Sequence, residues 1–270
     1  MRASVGDVDL YYELIGSGPT IAMTHGIGGS ADDFAPIVSL LSRRFSVLTY
    51  DVRGHARSDR PSTGYTITAF ARDLAGLLDR VGVDRAVILG TSMGGTITQR
   101  FILDFPQRTL AAVIMSTSSE VNEQGRLRWE AQADAIEREG FANYVRGNRP
   151  PGVDDAYLRQ HPDVAEAEER RIRNNPDSRV YAQIARAVAS YNYTEALTGV
   201  RAPTLVMVGA RDPMTPPGGS VIISRRISGA ELHILPELGH GLVREAPEQV
   251  VALVEEFLDR VLPPGNETQQ

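Results

Sequence analysis

Gly90-Thr91-Ser92-Met93-Gly94-Gly95 stands between an apolar run, 86–89, and a helical pattern, 96–104. Its G-x-S-x-G spacing is that of a nucleophile elbow, a sharp turn from strand into helix. Each position has a physical reason. The serine must take a strained backbone conformation that points its hydroxyl out of the sheet. Glycine two residues to either side removes side chains that would strike the neighbouring strand and helix. The backbone N–H groups that follow open a helix, where partial positive charge favours a developing oxyanion. A glycine-rich turn with an incidental serine is the competing reading, and the flanking strand and helix decide against it.

Outward from the elbow, short β-rich runs alternate with helical patterns, as parallel strands joined by crossover helices require. The runs are 20–24, 46–50, 86–89, 110–115, 204–208 and 232–235, with 8–15 an antiparallel edge hairpin after the Gly6-Asp7 turn. Ile67, Phe70, Leu74, Leu77, Leu78 and Val81 line one helix face, and Val250, Leu253, Val254, Phe257, Leu258 and Val261 line another. Pro247 suits the first turn of that last helix. From about 117 to 200 the alternation stops. Helical stretches rich in both charge signs hold Trp129, the only tryptophan, together with several tyrosines. A helical insertion this long between core strands reads as a lid with an apolar underside, against the plainer reading of a surface subdomain packing its own small core. The division expected is therefore core 1–116, helical cap 117–200, core 201–262 and a flexible tail 263–270.

A serine hydroxyl needs a base, and the base a third group to hold it. Asp212 follows the run 204–208 and His240 follows 232–235, so both sit past strand C-terminal ends, at the sheet edge where Ser92 lies. The order serine, acid, histidine is the one this elbow architecture uses. The other histidines are weaker candidates: His25 in a glycine loop, His55 in an arginine-rich turn, His161 in the lid and His233 inside a strand. Glu120 is a rival acid, and a plain turn-former before Pro213 is the structural alternative for Asp212. The loop His25-Gly26-Ile27-Gly28-Gly29 frees backbone N–H groups toward a substrate carbonyl. The N–H groups of Ile27 and Met93 would together form an oxyanion hole. Gly28 and Trp129 are the substrate-binding candidates. The glycines of this loop do not match a dinucleotide fingerprint.

Composition sets the outer bounds. Among 270 residues, 28 basic and 34 acidic side chains leave a net charge of −6, and 42% of residues are hydrophobic. Such a chain buries a core without disulfides, and with no cysteine it has neither a thiolate metal site nor a thiol nucleophile. Every basic residue is arginine, which excludes Schiff-base and lysine-base chemistry. The mild acidity argues against a nucleic-acid partner. Asp7 and Asp9 interrupt the place of a signal peptide's apolar stretch, and the charge-poor run 14–31 is glycine-rich loop chemistry, not a membrane span. A cytoplasmic protein without membrane partner is the expectation.

Taken together, His25–Gly29, the segment Asp51-Val52-Arg53-Gly54-His55-Ala56-Arg57-Ser58-Asp59, Gly90–Gly95, Arg211-Asp212 and Gly239-His240 resemble an α/β-hydrolase-fold serine hydrolase. The branch most similar is that of 3-oxoadipate enol-lactonases and small carboxylesterases, whose acid loop is similar to Arg211-Asp212-Pro213-Met214-Thr215-Pro216-Pro217. The resemblance implies a mostly parallel eight-stranded sheet flanked by helices, with a helical cap between core strands. It implies hydrolysis of a small ester or lactone with neither cofactor nor metal, through an acyl-enzyme on Ser92, by a monomer or a homodimer. In it Asp51 and Arg53 brace loops near the site. Ser92 excludes the aspartate-nucleophile branches of the fold. Carbon–carbon bond hydrolysis and cofactor-free haloperoxidase or perhydrolase chemistry use the same triad and stand as alternatives, as does a non-catalytic ligand receptor.

Overall fold

In the computed structural model, residues 1–149 and 155–262 are described; the expected tail 263–270 lies outside them. Eight strands among these residues form one sheet: β1 (Arg2–Val5), β2 (Val8–Ile15), β3 (Thr20–Thr24), β4 (Ser46–Tyr50), β5 (Ala86–Thr91), β6 (Thr109–Met115), β7 (Thr204–Gly209) and β8 (Glu231–Leu235). Their order is β1-β2-β4-β3-β5-β6-β7-β8. The β1/β2 and β2/β4 pairs are antiparallel and the rest parallel. The expected edge hairpin is there, with β1 as a further strand that four residues of mixed polarity did not announce.

Helices α1 (Ala35–Leu41), α2 (Ile67–Arg80), α3 (Met93–Asp104), α4 (Glu123–Glu139), α5 (Phe141–Gly147), α6 (Asp155–Gln160), α7 (Pro162–Asn174), α8 (Ser178–Val188), α9 (Pro217–Arg226), α10 (Leu242–Glu245) and α11 (Pro247–Val261) complete the described chain. Strand side chains alternate in direction, so each central strand supplies two cores. Ile88, Ala112, Ile114 and Val206 meet Phe70 and Leu74 of α2 and Ile97 and Phe101 of α3 on one face. Val87, Leu89, Val113 and Leu205 meet Ile37 of α1 and Val250, Val254 and Phe257 of α11 on the other. Burial on both faces is why these strands read as continuous apolar runs. The helices between β6 and β7 hold a third, smaller core, in which Ala133, Ile136, Phe141, Val145 and Tyr181 are buried.

β6, β7 and β8 each exceed the expected runs by one residue, and the boundaries at the elbow differ by more. β5 continues through Gly90 and Thr91, because the ladder to β6 runs on through the pairs Gly90↔Ile114 and Thr91↔Met115. Helix α3 accordingly starts at Met93, directly after Ser92. Helices α1 and α9, of seven and ten residues, span too few turns for a periodicity to be read.

The Asp51–Asp59 segment braces the loops above β3 and β4. Arg53 makes a two-pronged ion pair with buried Asp73 (2.5 and 2.6 Å) and reaches Asp7 at 3.0 Å. Asp51 accepts from Ala31 N and from Arg57. Beneath them His55 is fully buried, edge-on to His25 at 5.0 Å between ring centroids, and its Nε2 has no partner among the described residues. Burial first, and then the neighbouring His25, push the His55 pKa from 6.5 down to about 3. The unfolded chain thus binds a proton between those values that the folded chain refuses, so stability is complete above pH 6.5 and falls as pH drops toward 3. Urea unfolding at stepped pH is expected to show His55→Gln losing stability on acidification less steeply than the parent. The difference in slope should reach about 1.4 kcal/mol per pH unit.

Candidate active site

Ser92 links β5 to α3 with φ 56° and ψ −121°, a left-handed conformation that costs a non-glycine residue about 1–3 kcal/mol. Two contacts hold it there: Ser92 N donates to Met115 O of β6 at 2.9 Å, and Thr96 N to Ser92 O at 3.1 Å. The flanking glycines are sterically required. A Cβ on Gly90 would lie 2.1 Å from Gly94 O, and one on Gly94 only 1.9 Å from Thr24 O. The elbow is thereby pressed against both its own helix and the end of β3.

That strand end leads into the glycine loop. His25 is buried and both its ring nitrogens are engaged: Nδ1–H donates to Gly26 O at 2.7 Å and Nε2 accepts from Val52 N at 3.0 Å. It therefore serves the loop and is not free as a base. Gly26 lies so close to the elbow that a Cβ there would be 3.2 Å from Ser92 Cβ. Ile27 N donates to no backbone carbonyl among the described residues, and Met93, as the first residue of α3, has no carbonyl one helical turn earlier to bond. Both expected oxyanion donors thus belong to segments in contact with Ser92. Gly28, at φ 76°, is overhung by Arg171 and Tyr181, and its carbonyl accepts from the buried amide of Asn175 at 2.9 Å. Asn175 also caps α7 by donating to Arg171 O. This link between the inserted helices and the glycine loop had no signal in the sequence, where asparagine before proline reads simply as a turn.

Asp212 and His240 come together as expected. Asp212 is buried past β7, and its Oδ2 accepts from His240 Nδ1 at 2.8 Å. Three further donors fix the carboxylate: Met214 N and Thr215 N on Oδ1, and Thr215 Oγ1 on Oδ2. Burial alone would raise the Asp212 pKa; the bonds from His240 and Thr215 outweigh it and hold the carboxyl below its usual range. On the other side, Glu245 accepts from Gly239 N and Gly241 N and so clamps the loop bearing His240. Thr215 stands in the acid loop with no role that the sequence attaches to it, and Glu245 carries no signal at all, because a single hydroxyl or carboxylate near a loop has no pattern of its own.

Ser92 Oγ donates to no acceptor among the described residues, yet Ser92 and His240 line one chamber of about 280 Å³ with Ile27, Gly28, Trp129 and Met214. A second chamber, about 340 Å³, also reaches Ser92 and is lined by Met93, Thr117, Ser119, Glu120 and Arg128. Trp129 lines both, as a wall from the inserted helices. Glu120 is engaged elsewhere, accepting from Asn192 Nδ2 at 2.7 Å, and does not meet His240. His233 lies half-buried in edge strand β8. Arg126 is occupied by Glu123 and Glu130. Among the described residues no cluster of His, Asp and Glu is placed to hold a metal ion, and no helix is long and apolar enough to cross a membrane.

A doubly covered, mostly parallel sheet carrying a strained serine at a strand–helix junction defines a class. The chain belongs to the alpha/beta hydrolase fold family, whose model matches residues 19–247. It is 30% identical to the putative carbamate hydrolase RutD of Caulobacter sp. strain K31, over 94% of this chain and 97% of that one. Among solved structures it is similar to the enol-lactonase from Burkholderia xenovorans LB400 (TM-score 0.86, 25% identity, 96% of this chain and 100% of that one). It is also similar to a thermophilic esterase from Thermogutta terrifontis (TM-score 0.85, 25% identity, 97% and 100% covered). Hydrolysis is the class of reaction this membership carries.

Proposed function

We propose that this chain is a serine hydrolase that cleaves a carboxylic ester or lactone through an acyl-enzyme on Ser92. The observation that carries the proposal is the Asp212–His240 pair, anchored on loops past β7 and β8 and opening into the chamber that Ser92 enters on its strained turn. Esterase and enol-lactonase relatives with the same fold over nearly the whole chain support the substrate class.

Substrate seated at the elbow would bring His240 Nε2 onto Ser92 Oγ, a bond that commonly tightens only in the bound complex. His240 takes the hydroxyl proton as Oγ attacks the carbonyl carbon, and Asp212 holds the Nδ1–H tautomer and stabilises the imidazolium. The Ile27 and Met93 N–H groups receive the oxyanion. Collapse of the tetrahedral species breaks the C–O bond, and the leaving oxygen takes the proton from His240. Water activated by the same imidazole then releases the acid. Helices α4–α8, within 117–200, act as a cap that covers the elbow, and the two stretches 1–116 and 201–262 form the catalytic core. Apart from substrate and the water of deacylation, every step uses the chain's own residues.

Fluorophosphonate treatment followed by intact-mass measurement and peptide mapping tests this directly. One stoichiometric adduct, on Ser92, is the expected result. A folded protein that takes up no reagent, or takes it elsewhere, would refute the mechanism and favour a ligand receptor on the same fold.

A further inference from the structure

Among the described residues, the two chambers at Ser92 have only Ser92, Trp129 and Met214 in common. They are of similar size, 280 and 340 Å³, each near the lower end, about 300 Å³, of ordinary ligand pockets. Their chemistry differs. The first is lined by three guanidiniums, Arg170, Arg171 and Arg244, against a single carboxylate, Asp33, which is itself engaged by Ser30 N. The second has one arginine, Arg128, and one carboxylate, Glu120. Most arginines of the inserted helices are spent on ion pairs: Arg126, Arg138, Arg146, Arg149, Arg173 and Arg186 all have carboxylate partners. Arg170 and Arg171, adjacent on α7, have none among the described residues. Arg171 instead reaches the Tyr181 hydroxyl at 3.4 Å and stacks over the Phe141 ring at 5.6 Å.

His240 decides which half of a substrate goes where. It lines the first chamber and not the second. The imidazolium must hand its proton to the leaving oxygen, so that oxygen departs on the His240 side. The acyl half then has the second chamber. A small lactone has its carbonyl carbon and leaving oxygen joined through one ring, so both ends stay on one side of the serine. An open-chain ester places its halves in two separate spaces, as two like-sized chambers meeting at three residues allow.

We propose, resting on the serine-hydrolase reading above, that the substrate is an open-chain ester. Its leaving alcohol bears an anionic group held at Arg170 and Arg171, and its acyl half occupies the chamber lined by Thr117, Ser119 and Arg128.

Four butyryl-type probes test it: 4-nitrophenyl butyrate, its 3-carboxy-4-nitrophenyl counterpart, the 4-nitrophenyl monoester of succinate, and γ-butyrolactone. The carboxylate on the leaving half is expected to raise kcat/KM at least about tenfold over the neutral ester, as charge-assisted bonds to guanidinium do. The double variant Arg170→Met/Arg171→Met should bring that ratio close to one. Its loss should fall on kcat/KM, since the butyryl-enzyme has already shed the leaving half. Arg173→Met, on the same helix but paired with Glu166, should keep the ratio. A preference for the succinate ester, equal rates for charged and neutral leaving groups, or faster opening of the lactone than of the esters each overturns the proposal. If fluorophosphonate leaves Ser92 unmodified and no probe turns over, the serine-hydrolase reading itself falls, and the division of chambers with it.

Discussion

Ser92→Ala is expected to lower kcat on 4-nitrophenyl butyrate by about 10⁵- to 10⁶-fold, the scale on which removal of a triad nucleophile is felt. The hydroxyl is the only group removed, and it has no bond to lose among the described residues. Alanine carries the same positive-φ cost as serine, so the variant should unfold within about 0.5 kcal/mol of the parent. A large catalytic loss at constant stability separates a chemical role from a structural one. Turnover within tenfold of the parent would sink the acyl-enzyme mechanism.

Asp212→Asn should cost about 10⁴-fold in kcat while leaving substrate affinity nearly intact. An amide offers His240 the wrong partner: its NH₂ or its oxygen can face Nδ1, and only the second keeps the tautomer that exposes a lone pair to Ser92. Unlike the serine change, this one also alters stability, in a pH-dependent way. The folded carboxyl titrates below its ordinary value of 3.8, so its stabilising contribution is present above that pH and disappears as pH falls through the folded value. Thermal unfolding should therefore find the variant less stable than the parent at pH 7, with the gap closing below about pH 4. A gap that persists into strong acid would mean that packing, and not the charge, accounts for the loss.

The residues legible in the sequence are those whose chemistry imposes a local pattern. The elbow needs its glycines because backbone atoms of Gly94 and Thr24 occupy the space a Cβ would take, and six consecutive letters carry that need. Asp212 and His240 were found by position, each just past an apolar run whose burial on both faces made it a recognisable strand. Asn175, Thr215 and Glu245 follow another logic. Their partners are a carbonyl 147 residues away for Asn175 and loop groups within six residues for the other two. A single hydrogen bond of that kind leaves no periodicity or spacing behind. The division of the space around Ser92 was illegible for a related reason: it depends on where α4 and α7 come to rest, and helices rich in both charge signs do not say which of their arginines stay unpaired.

The loops that carry the site are continuations of the sheet ladder. Ser92 N bonds Met115 O, Ser116 N bonds Met207 O, and Ala210 N bonds Leu235 O, so the first residue past each strand is stitched to the C-terminal half of the next strand. Trp129 sits elsewhere, on α4 among the inserted helices. It also walls both chambers at Ser92, so intrinsic fluorescence watches the wall of the site, whereas enzymatic assay needs that wall and the ladder together. In a denaturant titration the emission change would register loosening of α4, whereas inactivation would follow loss of either α4 or the ladder; activity lost before the emission changes would show the ladder giving way first, and would rule out reading either curve alone as the folding equilibrium of the whole chain.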